Sequence, residues 1–399
     1  MKTFTPIIPT DLLGNIDDDI LVLAEDICIK SATLTGGHNI FTIEAIKELL
    51  RKINSYYSNK IESQGTHPID IDRAMKKDFF DDIKKKNLQI LSIRHIEVQK
   101  FVEDYFIKNN SSTPFSQEFI KNIHKEFYSS DDMKVFLNIK QNEKNTTMTA
   151  GEFRNKDVYI AEHIAPKYKY IESLMNQFDS LYKLPIKSTK ALKLIYILAS
   201  HHRLAWIHPF LDGNGRTSRL ALDGAFNYIR LDGYGLWNIS RGLSRASEDY
   251  KKYLSLADMP RQGDYDGRGA LSMRSLKEFV KFMLKTSLDQ IEFMSKNLNL
   301  STLNNRIEKY VKLSQNDMLD IKPLPKYSLA LLKELLICGE LQRGKVKDII
   351  GTKDRAATYL IKDLLEREYI QSDTPKGAIR LKINAHFGSY LIPELIPNI

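Results

Sequence analysis

Along most of the chain, apolar residues recur every third or fourth position, the period of a helix with one buried face. "NIFTIEAIKELLRKINSYYSNKIES", from Asn39, puts Ile43, Ile46, Leu49, Leu50 and Ile53 at that spacing and predicts a helix ending near Ser63 and Gly65. "LQILSIRHIEVQKFVEDYFIKN", from Leu88, repeats the pattern. In "TPFSQEFIKNIHKEFYSS", Thr113 is the expected N-cap and Pro114 the first helical residue. Helices are also expected over Ile171–Leu181 and Thr189–Ala205. The second is apolar nearly all round, through Leu192, Leu194, Ile195, Ile197 and Leu198, which predicts a central buried helix. "RTSRLALDGAFNYIR" then opens another, carrying Leu222, Ala225, Phe226 and Ile229.

Two regions break the rhythm. Gly151, Glu152, Phe153 and Arg154, the polar turn Asn155–Asp157, and Val158, Tyr159 and Ile160 read as a small β-hairpin with an exposed edge. Beyond Lys296 polar residues rise, and "DIKPLPK" reads as a linker. The remainder predicts helices near Ser328–Ile337, Gly344–Ile350 and Lys353–Glu368, then two short strands around Pro375–Gly377; that order is a winged helix-turn-helix. The expected organisation is a helical N-terminal region (1–87), a central domain (88–296), a linker (297–326) and a winged helix (327–399).

At 399 residues, with 42% hydrophobic and 27% charged, the chain has the composition of a soluble globular protein of more than one unit. A net charge of +9 leans toward nucleotide or nucleic-acid partners, although the "KKK" run at Lys84–Lys86 reads as a solvated helix face. Cys28 and Cys338 are too few and too far apart for a disulfide framework or a zinc site. The N-terminus lacks the apolar core of a secretory signal, and "ALKLIYILAS" is too short to span a bilayer. A cytoplasmic protein without membrane partners is expected; the sequence sets no oligomeric state.

Chemistry concentrates in "WIHPFLDGNGRTSRL", Trp206–Leu220, where a buried helix feeds a glycine-rich loop that opens a second helix. Gly213 and Gly215 allow close backbone approach, and the first N–H groups of the new helix are unpaired, the recipe for an anion site. Arg216 and Arg219, three apart, can converge on one polyphosphate. Asp212 stands where a carboxylate can hold Mg²⁺ against phosphates, and His208 where an imidazole can take a proton from an attacking hydroxyl. No Gly-Lys-Ser/Thr follows the glycines, so this is not a P-loop.

The stretch resembles the signature of the Fic (filamentation induced by cAMP) family, H-P-F-x-[D/E]-G-N-G-R-x-x-R, filled here by His208, Pro209, Phe210, Asp212, Gly213, Asn214, Gly215, Arg216 and Arg219. The resemblance implies a mostly α fold: a helical core with a small β-hairpin flap. It also implies transfer of AMP from ATP, with Mg²⁺, to a hydroxyl of a target protein or of the chain itself. His208 would be the general base and Asp212 the metal ligand. Gly213–Arg216 would form the anion hole, with Asn214 on phosphate and Arg219 on the γ-phosphate. The segment Gly151–Ile160 would be the flap that docks the target by strand addition, and Tyr250, in "EDYKKYL", would border the adenosine.

Upstream, "YYSNKIESQGTHP" resembles the family's inhibitory helix, [S/T]-x-x-x-E-[G/N], through Ser58 and Glu62. The implied device is competition: carboxylate and γ-phosphate both seek the guanidinium of Arg219. Ser63 departs from the glycine or asparagine expected there, and Gly65 is the expected helix terminator instead. Removal of AMP at the same site, another phosphate-containing transfer, and a DNA-binding regulator with a nucleotide-sensing core are the alternatives. For DNA, the third C-terminal helix offers Lys353, Arg355, Thr358, Tyr359 and Lys362.

Overall fold

The apolar stripes become helices in the computed structural model, which describes residues 14, 16–109, 111–141, 144–158, 163–184 and 187–397. Helices α1 (Asp18–Thr33), α2 (Ile40–Ile61), α3 (Pro68–Met75), α4 (Ile83–Lys108) and α5 (Gln117–Tyr128) come first. Side chains of Asn39, Asp82 and Ser116 accept the opening N–H groups of α2, α4 and α5. The start of α5 thus corrects the expected cap at Thr113: Pro114 and Phe115 lie in a turn closed by Ser116 N–H on Thr113 O, and Phe115 is buried. The boundary expected at residue 87 falls inside α4, which carries Lys84–Lys86 on an exposed face.

The hairpin is not where the sequence placed it. β1 (Asn138–Gln141) and β2 (Lys144–Thr147) pair antiparallel, Asn138 opposite Thr147, while Gly151–Val158 contains no strand; Tyr159 and Ile160 lie outside the described residues. Beyond it lie α6 (Ile171–Leu181), α7 (Lys190–Ile207), α8 (Asn214–Tyr228), α9 (Ile239–Arg245), α10 (Ser247–Ala257) and α11 (Met273–Asn297). As expected, α7 is central: Leu194, Ile195, Ile197 and Leu198 are fully buried, each worth about 1.5–3 kcal/mol. It packs against α1, α8 and α11, so the loop that leaves its C-terminus starts from a rigid base.

Residues 297–326 are not a plain linker. They contain α12 (Leu300–Gln315), whose Leu303, Ile307, Tyr310 and Val311 are buried; the polar character of the stretch belongs to its outer face. After it come α13 (Ser328–Cys338), β3 (Glu340–Leu341), α14 (Val346–Ile349), α15 (Asp354–Glu366), β4 (Ile370–Gln371), β5 (Ile379–Leu381) and α16 (Ala385–Leu391). The three strands form one antiparallel sheet in the order β3–β5–β4. This C-terminal unit is seated on α2. Thr42 donates to Leu336 O (3.0 Å), Tyr57 Oη donates to Leu395 O (3.3 Å), and Leu49 packs so closely on Gly388 that a Cβ there would lie 2.8 Å from Leu49 Cδ2. Buried Lys52 pairs with Asp72, which also accepts the first N–H of α16 from Ala385. No described helix is long and apolar enough to cross a membrane.

Candidate active site

The turn out of α7 sets the geometry. His208 ends the helix in the left-handed conformation, φ 51° and ψ 61°, with its N–H on Leu204 O (3.2 Å). Its ring is half-buried. Burial, with help from His163 and Arg154, pushes the imidazole down to about 3 against a backbone hydrogen bond to Ala205. The ring is therefore neutral at physiological pH: one N–H serves Ala205, and the other nitrogen keeps its lone pair.

The loop beyond is closed by its own side chains. Asn214 accepts from Phe210 N–H (2.9 Å) and donates to Phe210 O (2.8 Å), so its amide shapes the loop instead of facing a phosphate. Phe210 stacks on His124, ring centroids 3.9 Å apart. His124 in turn accepts from Gly151 N–H at Nδ1 (2.8 Å), which leaves Nε2–H to donate to Asp212 O (3.2 Å). Gly213 needs to be glycine twice over. Its φ is +76°, and a Cβ would fall 2.5 Å from Tyr128 Oη. Asp212 is exposed; Oδ1 accepts from Gly213 N–H (2.6 Å), and Oδ2 stands 4.0 Å from Arg216.

Gly213 is the N-cap of α8, and no side chain caps that end. The N–H groups of Asn214, Gly215 and Arg216 consequently begin the helix without intrahelical acceptors. Both arginines are buried. Tyr128 Oη accepts from Arg216 at Nη2 (2.7 Å) and Nε (3.2 Å), and Gln64 Oε1 accepts from its Nη1. Arg219 donates to Ser58 Oγ (2.9 Å), Ser58 O (2.9 Å) and Glu62 Oε1 (2.8 Å). Burial alone would raise the Glu62 carboxyl, but Arg219 and Arg216 outweigh it and hold the group below its ordinary range. The carboxylate also sits on the glycine: a Cβ on Gly215 would lie 2.1 Å from Glu62 Oε1.

One helix end thus occupies both arginines. Asn54 and Ser58 of α2 and its C-cap Glu62, four apart, face α8 as a ladder: Asn54 Nδ2 donates to Asp223 (3.0 Å), and Ser58 and Glu62 both accept from Arg219. What ends α2 differs from the expected stop at Gly65. Ser63 itself takes the left-handed conformation, φ 60°. Its N–H bonds Lys60 O (2.9 Å) and the next, Gln64 N–H, bonds Asn59 O (2.9 Å), a Schellman turn. A non-glycine residue there costs roughly 1 kcal/mol, and the turn it makes carries Glu62 and Gln64 into the site.

Residues 114–224 match the sequence model of the Fic/DOC family. This stretch is a Fic domain. Proteins named protein adenylyltransferase Fic are 39% identical over 77 residues in Nematostella vectensis, 41% over 76 in Aedes aegypti and 41% over 73 in Drosophila melanogaster. Those matches span 18%, 14% and 15% of the relatives and 18–19% of this chain. The fold agreement is wider. A Fic family protein from Desulfovibrio desulfuricans superposes over 92% of this chain and 97% of its own, with TM-score 0.51 and 16% identity. For Fic-1 from C. elegans the coverage is 72% and 74%, with TM-score 0.53 and 17% identity.

Within the Fic domain and α2, the expected site residues His208, Asp212, Gly213, Gly215, Arg216, Arg219, Ser58 and Glu62 lie together. Tyr250 reaches them from below: it is 4% exposed, its hydroxyl bonds His201 Nε2 (2.8 Å) and also contacts the Arg219 guanidinium, so it supports that arginine and has no open face for adenosine. Arg154, expected on an exposed flap edge, is 3% exposed and bonded to the carbonyls around His208. Glu152 is exposed, Phe153 half-buried beneath Lys121, and Gly151 and Val158 buried. Arg355, Thr358, Tyr359 and Lys362 belong to α15 in the C-terminal unit, and Lys353 is its N-cap residue. Sequence reading missed Tyr128, His124 and Gln64, each of which acts on the loop from another element. Only Gln64, two residues past Glu62, carried a local signal.

Proposed function

We propose that this chain is an autoinhibited protein adenylyltransferase, transferring AMP from ATP to a hydroxyl of a target protein or of itself. One observation carries the reading: a neutral imidazole, an exposed carboxylate, an uncapped helix N-terminus opened by glycine and two buried arginines meet in one loop. A hydroxyl placed by His208 gives its proton to the ring as its oxygen bonds the α-phosphorus; the bond to the β-phosphate oxygen breaks and pyrophosphate leaves. The N–H groups of Asn214, Gly215 and Arg216 take the charge on the phosphates, and Arg219 takes the γ-phosphate once Glu62 is off it. Among the described residues no three His, Cys, Asp or Glu side chains cluster as a metal cage. Mg²⁺ would therefore be held by exposed Asp212 and phosphate oxygens, where it would neutralise phosphate charge.

The test is which phosphate stays. Incubated with Mg²⁺ and host lysate, the Glu62→Gly protein is expected to leave label on protein from ATP labelled at the α-phosphate and none from ATP labelled at the γ-phosphate. Retained γ-label would make it a phosphotransferase, and no label from either would count against transfer.

Duplex DNA is proposed as a partner of α15. Lys353 and Arg355 are exposed and have no ion pair among the described residues, Lys362 is exposed, and Tyr359 is 61% exposed beside them. With three phosphate contacts, duplex affinity should fall roughly 40-fold between about 50 and 200 mM salt. A fluorescence titration with no binding, or with a flat salt response, would remove DNA from the account.

A further inference from the structure

Arg154 is buried deep among carbonyl groups. Its Nε donates to His208 O (2.8 Å) and its backbone N–H to Pro209 O (2.8 Å). Nη1 donates to Lys156 O (3.0 Å) and Nη2 to Pro166 O, and the Asp157 carboxylate stands 3.8 Å away. Burial lowers its pKa to about 10, so it remains a cation at neutral pH. A side chain of this kind, with so little water around it, is held in one geometry by its acceptors.

One of those acceptors belongs to His208, which has a left-handed backbone, and a second to Pro209, the residue after it. His208 is a non-glycine residue at φ 51°, a conformation that persists only where the surroundings fix it. Its N–H is fixed by α7, and the two carbonyls that follow are fixed by Arg154. Three residues before Arg154, Gly151 holds His124, and His124 holds the carbonyl of Asp212. The segment Gly151–Arg154 thus braces the loop at both ends, under the imidazole and under the exposed carboxylate.

We infer that Arg154 is a positioning residue for the transfer: it fixes the left-handed corner at His208 and so aims the imidazole at the attacking hydroxyl. The inference rests on the adenylyltransferase reading for its kinetic consequence and on the brace alone for its spectroscopic one. The anion cradle lies at the opposite end of the loop, on α8, and Arg154 does not touch it.

Arg154→Met, made in the Glu62→Gly protein, is expected to lower kcat for AMP transfer about 100-fold, the size of effect an ångström-scale misplacement produces. KM for ATP should stay within about twofold, since cradle and arginines are untouched. Arg154→Lys, which keeps the charge and the backbone N–H bond to Pro209 O, should recover part of kcat. An unchanged kcat, or kcat and KM worsening together, would overturn the assignment. A second measurement needs no activity: the imidazole resonance of His208, assigned by its loss in His208→Ala, should shift in Arg154→Met while that of His201 stays. An unmoved His208 resonance in a folded variant refutes the brace even if the chain transfers nothing. A shifted one with no transfer by the Glu62→Gly parent would leave the brace standing and remove the reaction instead.

Discussion

Glu62→Gly is expected to raise AMP transfer about 10- to 100-fold over wild type. That range is what one charge-assisted hydrogen bond, about 1.5–3 kcal/mol, is worth when a phosphate must displace it. The carboxylate acts in two places at once. It engages Arg219 Nη2 at 2.8 Å, and its oxygen fills the space above Gly215, where a phosphate entering the cradle would lie. Removing it frees both while Ser58 still holds Arg219 through Oγ and its carbonyl, so the guanidinium stays aimed. The check is incorporation of α-phosphate label into protein at several ATP concentrations. The gain should come with a lower KM for ATP, because the block competes with the nucleotide. Equal labelling by wild type and Glu62→Gly would remove Glu62 from the account and leave the arginine ladder a packing feature.

His208→Ala in that activated protein should abolish the label, by 10²-fold at least, as expected for a positioned general base. ATP should bind as before, since the cradle begins at Gly213 and the arginines are held by Tyr128 and Ser58. Binding retained with transfer lost separates a base from a scaffold residue. Transfer within tenfold of the parent would mean that the hydroxyl loses its proton elsewhere. The side chain is half-buried and its bonds to neighbours are mostly through the backbone, so the variant should fold.

The sequence was legible where chemistry is local and opaque where it is not. A base, a carboxylate, two glycines and two arginines within one loop can be read as a pattern, and α7 before them shows its burial in its own composition. The hairpin could not be read, because "NIKQNEKNTT" presents no alternating apolar face. Gly151–Val158 imitated a strand by ending in valine, yet its central arginine is buried on carbonyls. α12 passed for a linker because its exposed face is polar. Ser63 was judged by propensity, but the packing of α2 carries it into a conformation that serine takes at a cost. Tyr128 and His124, the supports under Gly213 and Asp212, gave no signal because nothing in α5 announces what will fold over it.

Under the proposed autoinhibition, the seating of α2 determines how Glu62 can leave Arg219. On one side the helix is held by the C-terminal unit at Thr42, Leu49, Lys52 and Tyr57; on the other it faces α8. Withdrawing the whole rod would strip apolar and hydrogen-bonded surface from two neighbours together. Unwinding only its final turn gives up the bonds from Ser58 to Gln64 and returns the strain stored at Ser63. Release of Glu62 is then expected as a fray at one end of a fixed bar, its equilibrium set by a few residues while the remainder of the domain stays folded.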